Sequence, residues 1–150
     1  MAKNWVRVWA VGTVAAAAAI GGYGSRNAAE VYARLDKPRW APPAAAFAPA
    51  WTALYAANAV VGWRTVTSTQ RLLHTGQLVL NAAWTPLFFD ARKRTAALGT
   101  IIALDAVVAA EIAALRRTDK VAAGLLVPYL GWLAYATALT ASVSDPGEVR

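Results

Sequence analysis

VAAGLLVPYLGWLAYATALTASV, residues 121–143, contains no Asp, Glu, Lys or Arg. A helix needs about 20 mainly apolar residues to cross the hydrocarbon of a bilayer, and this stretch supplies them without interruption. Four further runs share its character, at 5–24, 44–63, 72–89 and 96–115. The segments between them carry most of the charges and many of the helix breakers. In lipid only helices and closed barrels satisfy every backbone N–H and C=O. Strict period-2 alternation is absent and alanine and leucine dominate, so helices are expected and a barrel is not. The sequence therefore predicts an all-α membrane protein with five transmembrane helices in one domain, 1–150. The first run comes after Lys3 and contains Arg7, as a secretory leader would. It is long enough to span, and the rest of the chain does not read as a soluble domain, so it is taken as a span.

The composition agrees. The chain is 58% hydrophobic with a mean hydropathy of +0.39, above the 45–50% apolar content of ordinary soluble domains. It has no cysteine and a single histidine, His74, so thiolate sites, disulfides and multi-histidine metal sites are excluded within one chain. No metal or resident cofactor is expected. The net charge of +7 sits in short clusters between apolar runs, which suits headgroup contacts rather than nucleic acid. The basic residues split seven against eight between the two sides, so the positive-inside rule gives no orientation.

The connections set the layout. Residues 25–43 form the one long loop, with a short helix expected at 27–35. The other connections are about five to eight residues, which makes sequential helices pack antiparallel. Pro42 and Pro43 suit the start of the second span, where backbone donors have no partners anyway. Pro86 and Pro128 remove donors within the third and fifth spans and predict kinks. Small residues (Gly12 and Ala15 to Ala19 in the first span, Ala106, Ala109, Ala110, Ala113 and Ala114 in the fourth) permit close helix contact, within one chain or between two. Trp5, Trp9 and Trp63 lie near span ends and read as interface anchors.

Three motifs carry a resemblance. They are KPRWAPPAAAFAPAWTALY at 37–55, LNAAWTPLFF at 80–89 and LLVPYLGWLAYA at 125–136. In order and spacing they resemble the TspO/MBR family of tryptophan-rich sensory and translocator proteins, and with the five runs they cover nearly the whole chain. The resemblance implies a five-helix bundle whose long first loop caps an internal pocket. It also implies tetrapyrroles such as protoporphyrin IX, sterols or lipophilic drugs as ligands. Two departures stand out. Leu139 to Asp145 lacks the tyrosine and basic residue of a sterol-recognition motif. Thr100 occupies the place of an early acid in the fourth span, while an acid appears instead at Asp105.

The motif residues also fall on shared helix faces. Trp51, Tyr55 and Asn58 are spaced i, i+4, i+7. Asn81, Trp84 and Phe88 are spaced i, i+3, i+7, as are Tyr129, Trp132 and Ala136. If these faces converge they build an aromatic cavity with few oriented polar groups, as small-molecule sites require, and a flat conjugated ligand would stack there. Trp40, Pro42 and Phe47 join it through the resemblance, Trp40 and Trp84 serving either as packing or as contacts. Asn81 is expected to donate to the ligand and Asn58 to bond across the bundle. Arg34, Lys37 and Arg39 are candidate partners for ligand propionates at the mouth.

Asp105 lies mid-span, where a carboxylate costs about 2.5–3.5 kcal/mol on insertion scales, so it is expected to be protonated or paired. Glu111 is expected to reach the interface near Arg116. His74 is placed at the interface, outside every motif, and is not expected to ligate haem. The first functional expectation is a dimeric membrane sensor or carrier of tetrapyrroles or similar lipophiles, in a bacterial membrane. The alternatives are light-dependent porphyrin degradation through Trp51 and Trp132, and lipophile transport. No conventional catalytic set is present, and no internal duplication supports inverted-repeat transport.

Overall fold

The computed structural model describes residues 2–145, with side chains from Asn4 onward. Of the basic residues weighed for orientation, Arg150 and the side chain of Lys3 lie outside that description. Among the described residues every regular element is helical. The helices are α1 (Ala2–Gly24), α2 (Ala28–Arg34), α3 (Phe47–Arg64), α4 (Ser68–Thr85), α5 (Arg94–Leu115) and α6 (Lys120–Ser142). By length and composition α1, α5, α6, and α3 with its 3-10 lead-in Ala44–Ala46, can each cross a membrane. Four such helices make this a multi-pass membrane protein.

α4 is the odd helix, and its sequence says why. Gln70, His74, Gln77 and Asn81 stand at i, i+4, i+7 and i+11, and all four are buried. They form a polar seam that lowers the helix's hydropathy while facing other helices. α4 also starts earlier than its apolar run, at Ser68 rather than 72. Thr67 and Gln70 make a reciprocal capping box there: the Gln70 N–H donates to Thr67 Oγ1 at 3.1 Å and the Thr67 N–H to Gln70 Oε1 at 3.3 Å. Such a cap fixes the first turn without help from hydropathy.

The short connections predict sequential packing, but the packing is not sequential throughout: α3 and α4, although consecutive, are not among the closely packed pairs. α1 packs on α3 and α4, α4 on α5, α5 on α6, and α6 returns to α3. Two glycines set how close α1 comes. A Cβ on Gly24 would lie 2.7 Å from the Pro86 backbone nitrogen, and one on Gly62 would lie 2.8 Å from Ala10 Cβ. Neither position has room for a methyl group, as is usual where membrane helices pack by close approach.

Pro86 has the consequence expected of it. The α-helical ladder stops at Thr85, and Pro86–Asp90 continues as one π-helical turn closed by the Ala91 N–H on the Pro86 carbonyl at 2.8 Å. Arg92 then takes a positive φ of 53° to reverse the chain. Pro128, by contrast, sits inside an α6 that runs unbroken to Ser142. The long first loop is pinned to the end of α6: Asp36 and Ser144 exchange backbone bonds of 3.0 and 3.3 Å. This brings α2, the start of α3 and the end of α4 to one end of the molecule.

Two expectations for polar residues need correction. His74 is not at the interface; it is fully buried, with Nδ1 2.6 Å from Glu111 Oε1. Glu111 does not reach towards Arg116; it is equally buried and faces α4. The Trp9 ring lies 5.7 Å from the His74 ring. The cause is common to His74 and Glu111. Two ionisable groups that each look costly in lipid are tolerated only when they meet, and that meeting is across 37 residues of sequence. Asp105 does find a partner, accepting from Thr137 Oγ1 at 2.7 Å.

Candidate functional site: an aromatic cavity beneath the first loop

A cavity of about 400 Å³ lies between the end of α1, α2, the first turns of α3 and the end of α4. Its volume falls in the range of small-molecule sites. Phe47, Trp51, Tyr55 and Trp84, four of the expected residues, line it. Their positions come from the local sequence. Pro43 enters the 3-10 turn in extended conformation (φ −64°, ψ 146°), α3 begins at Phe47, and i, i+4, i+8 spacing then puts Phe47, Trp51 and Tyr55 on one face. α1 contributes small residues, Ala18, Gly21 and Gly22, so the wall opposite the aromatics is backbone and methyl groups.

Trp132, Tyr129 and Phe88 form a second layer. Trp132 stands 6.0 Å from Phe47 and 6.4 Å from Trp51, edge-on to both. Tyr129 is buried 6.5 Å from Trp51. Phe88 stacks on Trp84 at 5.1 Å, and Phe89 meets both edge-on. Edge-on and offset contacts of this kind hold rings in fixed orientations. The indole N–H groups of Trp84 and Trp132 are buried and find no acceptor among the described residues.

Asn81 sits behind this layer with its amide fully engaged. Tyr55 Oη donates to Asn81 Oδ1 at 2.8 Å, and Asn81 Nδ2 donates to Tyr129 Oη at 2.9 Å. Tyr129 Oη donates onward to Gln77 Oε1 at 2.9 Å, and Gln77 Nε2 donates to Asn58 Oδ1 at 2.7 Å. One hydrogen-bonded chain thus joins α3, α4 and α6. Asn58 bonds across the bundle as expected.

The remaining expected residues lie away from the cavity wall. Trp40 is about half exposed and packs 5.6 Å from Tyr135, whose hydroxyl donates to the Trp40 carbonyl. Pro42 contributes its carbonyl, which accepts from Tyr32 Oη at 2.7 Å. Ala136 is buried in the α6 core. Arg34 pairs with Glu30 at 2.6 Å on the surface of α2. Lys37 donates to the carbonyls of Tyr32 and Leu35 and lies over the Tyr32 ring, and Arg39 is exposed.

The cation that lines the cavity is Arg26 instead. Its guanidinium sits 4.2 Å from the centre of the Tyr23 ring, and Nη2 is 3.0 Å from Asp90 Oδ1. Tyr32 and Phe89 are also wall residues that the motif reading did not select. Burial first, and the Tyr135 phenol second, push the Tyr32 hydroxyl above its ordinary pKa, so it remains a neutral donor. Two signals were present in the sequence: Phe89 ends the LNAAWTPLFF motif, and Arg26 is the first cation after the first span.

The sequence pattern of the TspO/MBR family matches residues 10–144. The chain is 39% identical over 117 residues to the translocator protein of Homo sapiens, covering 72% of this chain and 69% of that one. It is 38% identical over 114 residues to the tryptophan-rich sensory protein of Cereibacter sphaeroides, covering 73% and 72%. Over 143 residues it is 37% identical to the tryptophan-rich protein TspO of Archaeoglobus fulgidus, covering 89% and 93%. With the three motifs in register and the match spanning most of the chain, the protein belongs to the TspO/MBR family.

Proposed function

We propose that this chain is a five-helix transmembrane bundle that binds a tetrapyrrole or a similar flat lipophile in the cavity beneath its first loop. The observation that carries the reading is the cavity wall itself, in which Phe47, Trp51, Tyr55 and Trp84 face small residues of α1. Rings held on one side and flat, small groups on the other suit a planar conjugated guest. α4 is the fifth span in this reading. Its polar seam is turned inward, while Leu72 and Val79 are exposed on its outer face. Exposed small residues on α1 and α5, among them Gly12, Ala106 and Ala110, offer faces for a second copy, so the working unit is a homodimer. The alanine- and arginine-rich composition favours a bacterial membrane.

The test is a titration of the detergent-purified protein with protoporphyrin IX in the dark, followed by tryptophan quenching. Saturable quenching is expected, weakened by about tenfold in Trp51→Phe, the loss of roughly one good aromatic contact. Trp132→Phe, one layer back, is expected to weaken it less. Non-saturable quenching of equal slope in all three proteins would mean partition into the micelle and would end the proposal.

A further inference from the structure

Arg26 is the one charged residue among the described residues lining the aromatic cavity. Its partner Asp90 belongs to a second, polar cavity of about 220 Å³, lined also by Glu30, Arg34 and Arg92. Phe89 borders both spaces. The Arg26–Asp90 pair is therefore the seam between an apolar compartment and a polar one.

We propose that this seam selects lipophiles that carry a carboxylate: the apolar body occupies the aromatic cavity and the acid takes the place of Asp90 on Arg26. The inference rests on the binding of a flat lipophile in that cavity and adds the chemical class of the ligand. Three observations carry it. Arg26 is held independently of Asp90, because Nη1 donates to the Tyr23 carbonyl at 2.9 Å and the guanidinium lies over the Tyr23 ring. It stays in place when Asp90 lets go. The two side chains are 40% and 43% exposed, and a pair as open as this holds weakly, so an incoming carboxylate exchanges for Asp90 at little cost. The buried Trp84 N–H, in the wall and without an acceptor, is a further donor available to the ligand body. Arg92, on the far side of the seam, receives a second acidic group where the ligand has one.

The experiment compares protoporphyrin IX, which has two carboxylates, with its dimethyl ester, which has none, by dark tryptophan quenching of the full chain in detergent. The wild-type protein should prefer the acid by about tenfold, the scale of one charge-assisted contact. Arg26→Gln should weaken acid binding by about tenfold and ester binding far less, with saturable ester binding retained as the control that the cavity is still formed, so that the preference is lost. Arg26→Lys should restore part of it. Asp90→Asn, which frees Arg26 and removes a like charge from the seam, should tighten acid binding several-fold. Equal affinities for acid and ester, or equal loss of both in Arg26→Gln, would overturn the carboxylate assignment and leave the aromatic pocket standing. If neither porphyrin saturates the wild-type protein, the binding reading itself falls.

Discussion

At the scale of single residues, His74 and Glu111 show what burial demands of charge. Both side chains are fully enclosed, and each keeps one atom, His74 Nε2 and Glu111 Oε2, without a hydrogen-bond partner among the described residues. Removing one member leaves an uncompensated group in a dry site, at a cost of about 3–5 kcal/mol, whereas replacing both by apolar side chains of similar volume is near neutral. Thermal unfolding in detergent should therefore show large destabilisation in His74→Phe and in Glu111→Leu, and recovery of most of it in the double variant. Additive losses would mean that the two do not act as a pair. No window of the sequence reveals this pair. Each residue is locally a polar intruder near a span end, and only the α4–α5 contact makes them partners. The aromatic residues were legible for the opposite reason: helical spacing alone puts Trp51 and Tyr55 together, and the cavity wall is built on that spacing. Arg26 was missed because Arg34, Lys37 and Arg39 are nearer to the motif in sequence, while the turn after α1 carries Arg26 nearer to the cavity in space.

At the scale of elements, apolar length made α1, α3, α5 and α6 readable, and the same criterion misjudged the start of α4. Hydropathy sees Gln70 as a loop residue; the capping box makes it the first turn of a helix. α6 begins with a cap of a different kind. Asp119 accepts from the N–H groups of Val121 and Ala122, each at 3.0 Å, and from Arg64 through Nε at 2.7 Å and Nη2 at 3.0 Å. The Arg64 hydrogen bond first, and the Ala122 N–H next, hold its carboxyl below the ordinary aspartate range. A carboxylate whose pKa is lower in the folded state contributes stability above its unfolded pKa. That contribution is lost as pH falls through the lowered value. Asp119→Asn, which keeps a capping oxygen but no charge, should flatten the acid limb of the stability profile below about pH 4, the ordinary aspartate value. An unchanged acid limb in the variant would count against the α3–α6 tie as its source.

At the scale of the whole molecule, the chain Tyr55–Asn81–Tyr129–Gln77–Asn58 is the polar axis that fixes how α3, α4 and α6 sit together. Tyr129 is its centre, accepting from Asn81 and donating to Gln77. Tyr129→Phe leaves both amides short of a partner and should lower stability by about 1–2 kcal/mol. It should also broaden the tryptophan emission as Trp51 and its neighbours lose their fixed orientation. A variant with wild-type melting and emission would show the axis to be dispensable.

The seam of α4 also bears on how the protein is made. A solitary α4 would present two glutamines, a histidine and an asparagine to acyl chains, and translocon-guided insertion tolerates such groups poorly. When α4 emerges, α5 is still to come, and Glu111 trails His74 by 37 residues. As a fifth span, the helix would have to be sheltered beside its predecessors until α5 arrives to complete its polar face. If α4 spans the bilayer, as proposed, membrane integration of this chain is a concerted act of neighbouring helices, with the order of synthesis part of the information that folds it.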